Sequence, residues 1–399
     1  MRLAIAGRRH GPYHHARFGA AARRCDLTAV EFSRTDKVNG WDYIATPSGF
    51  RQVTLFTDDV DIDDHAPPEI RRAVRRALDQ IDPAVVAVPG WSHPGALACL
   101  DWCLRRGRPA VLMSDSTAHD QPRVWWREAL KRRVVRLFHA ALVAGSSHRA
   151  YARALGLLDD AIFEGYDAVD NAHFADGAAR AREGAADLRR TYALPRRFFL
   201  AAGRFIQEKN LTRLIEAYEL YWRNAGTEPW SLVLLGDGEL RATLEDRVHE
   251  LRLQQHVLMP GLRQYDELPT YYGLADALVH ASTSDAWGLV VNEAMASGLP
   301  VLVSDRCGCA PDLVEHGVNG FTFDPYDFAA LAGLMQRIAA MADEQRHAMA
   351  AAGQRIIAAW GLERSADGLM RAVEAALRRP PSKPSWFDRS LLWALAHRP

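Results

Sequence analysis

HASTSDAWGLVVNEAMASGLPVLVSD, residues 280–305, compresses a strand end, an acidic loop, a helix and a second strand into 26 residues. Gly288 opens the helix, Glu293 falls on its second turn, Gly298 stands where a C-terminal cap belongs, and Pro300 starts the next apolar run. The first N–H groups of such a helix carry partial positive charge, so a diphosphate at the strand's carboxyl edge would be stabilised there. Open α/β sheets bind ligands at that edge. Asp285 and Glu293 are eight residues apart, a span on the order of 12 Å along a helix. That spacing can set one carboxylate near a sugar and the other near a ribose, on opposite sides of a diphosphate. Taken singly, each acid has a plainer role, Asp285 as a helix cap and Glu293 as a solvated surface group. The glycine, proline and strand context favours ligand binding.

Outward from this stretch, short apolar runs alternate with helical patterns. Residues 3–7, 84–88, 110–113 and 140–144 form one series, and 198–202, 231–235, 257–259, 277–280 and 300–303 a second. Such βαβ alternation predicts parallel sheets covered by helices, and at 399 residues the chain is long enough for two domains. The predicted organisation is a Rossmann-like domain over 1–175, an Ala/Gly/Arg-rich linker over 176–195, a second Rossmann-like domain over 196–375 and a tail over 376–399 that contains the proline-rich PPSKP.

Apolar residues at 48% and charged residues at 25% indicate a folded globular chain. Basic and acidic side chains balance at 49 each, so no overall field draws the chain to nucleic acid, which is not an expected partner. Five cysteines, an odd number without zinc-type spacing, predict neither a disulfide framework nor a metal site, and favour the cytoplasm. Asp58–Asp64, DDVDIDD, contains Asp-x-Asp elements but reads as a solvated acidic loop. MRLAIAG is too short for a signal sequence and reads as a first strand.

The segment D-A-W-G-L-V-V-N-E-A-M-A-S-G-L-P-V, residues 285–301, resembles the Glu-x7-Glu element of glycosyltransferase family four, with Asp285 in place of the first acid and Trp287 in place of the usual aromatic. The resemblance implies the GT-B fold: two doubly wound Rossmann-like domains facing an interdomain cleft. It implies that Glu293 meets the nucleotide ribose and Asp285 the transferred sugar, with Trp287, Gly288 and Leu289 also on the donor. AAGRFIQEKN, residues 201–210, matches the family's strand-loop segment and supplies Gly203, Arg204 and Lys209. Two fixed cations there can stabilise a leaving nucleoside diphosphate without a metal. The resemblance further implies that LLGDGEL contributes Gly236 and Asp237 on the donor side and that main chain around Leu262 meets the base.

The N-terminal half follows the family only in outline. Gly7 opens a loop, GRRHGPYHH, residues 7–15, expected on the phosphate and acceptor side, where His10 and His14 are acceptor candidates with His93. His119, after the strand at 110–113, is placed as a catalytic neighbour of the donor sugar. The implied activity is a retaining, metal-independent hexosyl transfer from a nucleotide-diphosphate sugar, needing no cofactor, to a glycan or lipid-linked acceptor in bacterial polysaccharide or glycoconjugate assembly. A nucleotide-sugar epimerase of the same architecture and a noncatalytic nucleotide-sugar-binding protein are the rival readings.

Residues 123–143, RVWWREALKRRVVRLFHAALV, set Trp126, Leu130, Val134, Leu137 and Phe138 on one helical stripe, opposite Glu128, Arg132 and Arg136. Such a stripe commonly packs on its own sheet. Its tryptophans and arginines also suit an interfacial helix on an anionic membrane surface, with WFDRSLLW, residues 386–393, as a second apolar contact and peripheral attachment as the outcome.

Overall fold

The computed structural model describes residues 1–35, 40–44, 49–120, 123–226 and 228–396. Two compact units form, Met1–Ala168 with Leu362–Pro399, and Val169–Gly361. The first is built on a sheet of β1 (Arg2–Gly7), β2 (Asp26–Thr35), β3 (Arg51–Asp61), β4 (Val85–Pro89), β5 (Ala110–Ser114), β6 (Ala140–Val143) and β7 (Ile162–Glu164). Its order is β3-β2-β1-β4-β5-β6-β7, and every pairing is parallel. The second is built on β8 (Phe198–Ala202), β9 (Ser231–Leu235), β10 (Val257–Gly261), β11 (Ala277–His280), β12 (Val301–Ser304) and β13 (Gly320–Phe323), in the order β10-β9-β8-β11-β12-β13. These strands are also parallel throughout. Central strands such as LAIA and LVLL are apolar on both faces because helices cover both sides of a parallel sheet. The two doubly wound domains expected from the alternation are therefore present.

Two boundaries differ from the expected ones. Residues 176–195 are not a linker: the helices Asn171–Glu183 and Ala185–Thr191 occupy most of that span, and Phe174, Ala178 and Ala181 are buried in the second unit. Phe174 meets the rings of Tyr265 and Tyr272 edge-on at 5.6 and 5.8 Å. The Ala/Gly composition that suggested a linker instead permits close helix packing, since a Cβ on Gly177 would lie 2.4 Å from Pro269 Cβ. The second domain also stops short of residue 375, because the helix Leu362–Arg378 returns to the first unit. Its Ala366, Leu369, Ala372 and Val373 join the core formed by Leu3, Ile5, Val111 and Leu142. Gly368 permits the approach, since a Cβ there would lie 2.2 Å from the Glu164 carbonyl oxygen. The tail expected from 376 is likewise part of the first unit: the helix Trp386–Ala396 buries Leu392 and Ala396, and residues 397–399 lie outside the described set.

Candidate donor and acceptor sites

In each sheet the chain reverses its direction of winding once, between β1 and β4 and between β8 and β11. Loops diverge at such points and leave a crevice at the carboxyl edge. In the second unit the loop after β8 carries Gly203, Arg204 and Lys209, and the loop after β11 carries Asp285, Trp287 and Gly288. Asn210, left-handed at φ 57°, binds the two together: its Nδ2 donates to the carbonyls of Ala281 at 3.1 Å and Pro325 at 2.9 Å. Thr283 N donates to the Glu208 carbonyl at 2.9 Å. Lys209 is thus held on a fixed turn, while Arg204 stands exposed beside it.

The glycine-rich loop after β9 supports this arrangement from behind. A Cβ on Gly236 would lie 1.9 Å from the Gly203 carbonyl oxygen, and one on Gly238 would lie 2.7 Å from that of Phe205. The Asp237 carbonyl accepts from Phe205 N at 2.8 Å, and its exposed side chain turns to Gly238 N. The GDG sequence therefore serves close backbone contact with the Arg204 loop. Leu262, after β10, is 45% exposed.

Lys209 Nζ lies 2.5 Å from Asp285 Oδ2, and His280 Nε2 lies 2.8 Å from the same oxygen. Burial pushes the Asp285 carboxyl up, but the His280 hydrogen bond and the Lys209 charge outweigh it and hold the group below the usual carboxylate range. His280, Asp285 and Cys307 bring their donor atoms within 4.8 Å of one another. Burial holds the Cys307 thiol well above its ordinary pKa, and the Lys209 ammonium already answers the carboxylate. That environment suits a retained cation better than a metal ion.

Gly288, at φ 95°, precedes the helix Leu289–Ala296, and Leu289 is half-buried at its first position. Trp287 is buried, with its Nε1 donating to Asn292 Oδ1 at 2.9 Å and its ring 5.4 Å from that of Trp360. It anchors the turn from beneath. Glu293 is neither exposed nor solvated: it is 2% exposed and accepts from the Tyr272 hydroxyl at 2.6 Å.

In the first unit, Gly7 ends β1, His10 follows it, and His93 follows β4. His10, expected to meet an acceptor, is 1% exposed and packs over Gly7 and edge-on to Phe18, at 4.9 Å between rings, so its place is in the core. His10 N donates to Glu31 Oε1 at 2.8 Å. Half-buried His14 stands beside it, at 5.7 Å between rings. His93 caps the helix Pro94–Arg106, accepting from Gly95 N at its Nδ1 at 3.0 Å, and stacks on Phe32. His119 is exposed after β5, on a turn where Asp120 Oδ2 accepts from Thr117 N.

Residues 188–356 match the family described as group 1 glycosyl transferases. An uncharacterized glycosyltransferase of Methanocaldococcus jannaschii is 31% identical over 142 residues, 36% of this chain and 35% of that protein. The amylovoran biosynthesis glycosyltransferase AmsK of Erwinia amylovora is 30% identical over 145 residues, 35% of each. The matched stretch thus spans about a third of the length of these curated relatives. Among solved structures, Anabaena HepE in complex with UDP superposes with a TM-score of 0.72 at 16% identity, over 94% of this chain and 100% of that one. The fold is GT-B.

The matched group 1 glycosyl transferase region contains Arg204, Lys209, Asp285 and Glu293. Reading the sequence missed three of their neighbours. His280 was visible as the last residue of an apolar strand, a position at the ligand-binding edge, but Tyr272 and Asn210 gave no comparable signal.

Outside that region, burial lowers the pKa of His10 to about 3, and that of His93 to about 4 with help from Arg8. The unfolded histidines take up protons near pH 6.5. Stability is therefore full above that pH and falls as the pH drops toward the folded values, by up to roughly 1.4 kcal/mol per pH unit for a single fully buried group. His10→Gln is expected to flatten the dependence of Tm on pH between 7 and 4.5. An unchanged slope would place the acid sensitivity elsewhere.

Proposed function

We propose that the chain is a retaining glycosyltransferase that takes a nucleotide-diphosphate sugar at the carboxyl edge of the second sheet and passes the sugar to a glycan or lipid-linked acceptor. The reading rests on one observation: Arg204, the Lys209–Asp285 pair and the helix end at Gly288 meet where β8 and β11 diverge. A diphosphate leaving there is stabilised by two cations and by helix N–H groups, with no metal required. With Lys209 and His280 holding Asp285 ionised, that carboxylate accepts hydrogen bonds from sugar hydroxyls. Departure and attack on one face of the sugar need no protein nucleophile.

A panel of UDP- and GDP-sugars, scored for thermal stabilisation and nucleotide release in the presence of a chelator, tests this. Stabilisation by one nucleotide class, and release of that nucleoside diphosphate when acceptor is added, is the expected result. Isomerised donor without transfer would indicate an epimerase. The absence of both stabilisation and release, or strict dependence on a divalent metal, would reject the mechanism.

We also propose peripheral attachment to the cytoplasmic face of a membrane. No helix among the described residues is long and apolar enough to cross one. The helical stripe expected over residues 123–143 ends early, at Val135, and only Val134 and Val135 of the helix Trp125–Val135 are buried. Trp125 is 83% exposed and Trp386 78%. The two helices are joined by Arg133, which pairs with Asp388 at 2.9 Å and lies over Phe387 at 4.5 Å. Exposed aromatics beside Arg127, Arg132 and Arg136 fit an anionic interface. Binding to vesicles containing anionic lipid should weaken with salt and drop at least tenfold when Arg132 and Arg136 are both changed to Glu. Folded protein that ignores such vesicles at low salt would rule attachment out.

A further inference from the structure

A chamber of about 610 Å³ opens in the first unit beneath the helix Trp125–Val135. Its walls are mostly apolar: Ile62 and Ile70 on one side, Leu130 and Val134 on another, and Leu395 from the last helix. Trp91 and His93 close the end nearest β4, and Trp126, 42% exposed, stands at the chamber's edge. The volume lies within the range of small-molecule sites, which are typically apolar with a few placed polar groups. A monomeric surface seldom leaves so large an apolar hollow without use.

The charges around the chamber favour an anion. Asp63, its one lining carboxylate among the described residues, is held by Arg8 at 2.6 Å and lies 3.3 Å from His93 Nε2. Lys131 is paired with Glu128 at 2.9 Å. Arg127 lies 5.2 Å from the Trp126 ring centroid and has no carboxylate partner among the described residues. An apolar wall bordered by one uncompensated guanidinium matches a molecule with a hydrocarbon chain and a single anionic head.

We propose that this chamber binds the hydrocarbon chain of an alkyl or prenyl phosphate, with the phosphate on Arg127. Binding itself stands on the chamber alone. Its use as the anchor of a lipid-linked acceptor rests on the glycosyltransferase reading above, and would bring the lipid's head toward the loops after β4 and β5.

The test uses the full-length protein without any donor, titrated with octyl, decyl and dodecyl phosphate below their micellar concentrations and followed by calorimetry. Affinity should rise about fourfold per added methylene, the increment for burying one CH₂. Inorganic phosphate should not bind measurably, and decyl maltoside should bind at least tenfold more weakly than decyl phosphate. Leu130→Trp, which fills the chamber, should weaken decyl phosphate at least tenfold, and Arg127→Gln should remove the preference for phosphate while leaving the dependence on chain length. Trp125→Ala, outside the chamber, should leave binding unchanged and serves as the control for surface adsorption. Affinity independent of chain length, equal affinity for the neutral amphiphile, or sensitivity only to Trp125→Ala would overturn the proposal. Thermal stabilisation by nucleotide sugars, measured on the same variants, reports on the second unit, so the two readings can fail separately.

Discussion

Lys209→Ala is expected to lower turnover by about 10²–10³, the loss typical when one preorganised electrostatic group is removed from a developing charge. The ammonium sits on a turn that Asn210 pins through two carbonyls, so on the proposed mechanism it is in place before a diphosphate begins to leave. Its 2.5 Å contact with Asp285 has a second consequence. Without the lysine, burial acts on that carboxylate with only His280 to oppose it, and its pKa rises. The activity lost should therefore show a shifted acid limb as well as a lower plateau. Lys209→Arg should rescue little, because a planar guanidinium cannot occupy the site of a compact ammonium. Arg204 is exposed and so less constrained, and Arg204→Ala is expected to lower turnover while leaving the acid limb where it is. Turnover of Lys209→Ala within fivefold of the parent would remove the residue from the mechanism.

Glu293→Gln should weaken donor binding about tenfold to a hundredfold, the span given by losing a hydrogen bond to a charged group worth roughly 1.5–3 kcal/mol. The substitution keeps side-chain volume and an acceptor oxygen for the Tyr272 hydroxyl, so the fold should be retained. Glu293 is 2% exposed, and the Tyr272 hydroxyl holds its Oε2 at 2.6 Å. Tyr272→Phe separates the roles: it removes the positioning bond, and should raise the donor KM while leaving kcat close to the parent value. Equal donor affinity in Glu293→Gln and the parent would make the residue a structural partner of Tyr272 rather than a donor contact.

Much of this was readable in one dimension. Apolar runs of four to six residues, spaced by amphipathic helices, report local propensity and burial on two faces, and both survive into the folded sheets. Sequence also located Gly203, Arg204, Lys209, Gly236, Asp285 and Gly288 at strand ends, because glycine and charge at the end of an apolar run have few structural uses. It failed where composition has two meanings. The Ala/Gly-rich stretch at 176–195 suits either a linker or tight helix packing, and only the close approach of Gly177 to Pro269 and of Ala178 and Ala181 to Gly273 decides for packing. His10 suits either an acceptor loop or a core, and Phe18 and Glu31 decide for the core.

By itself, then, the sequence determined two parallel sheets, nine of the thirteen strands described, with β2, β3, β7 and β13 unforeseen, and the loops from which ligand contacts could come, since these depend on patterns within a few residues. Tertiary structure decided the rest. The helix Leu362–Arg378 returns to the first sheet because its alanine face and Gly368 fit there, a complementarity between surfaces some 200 residues apart, as with Arg364 and Glu164. Asp285 acquires its low pKa from Lys209, 76 residues before it, and from His280. Charge state, burial and the hollow beside Arg127 are properties of neighbours in space, and no local pattern encodes which neighbours those will be.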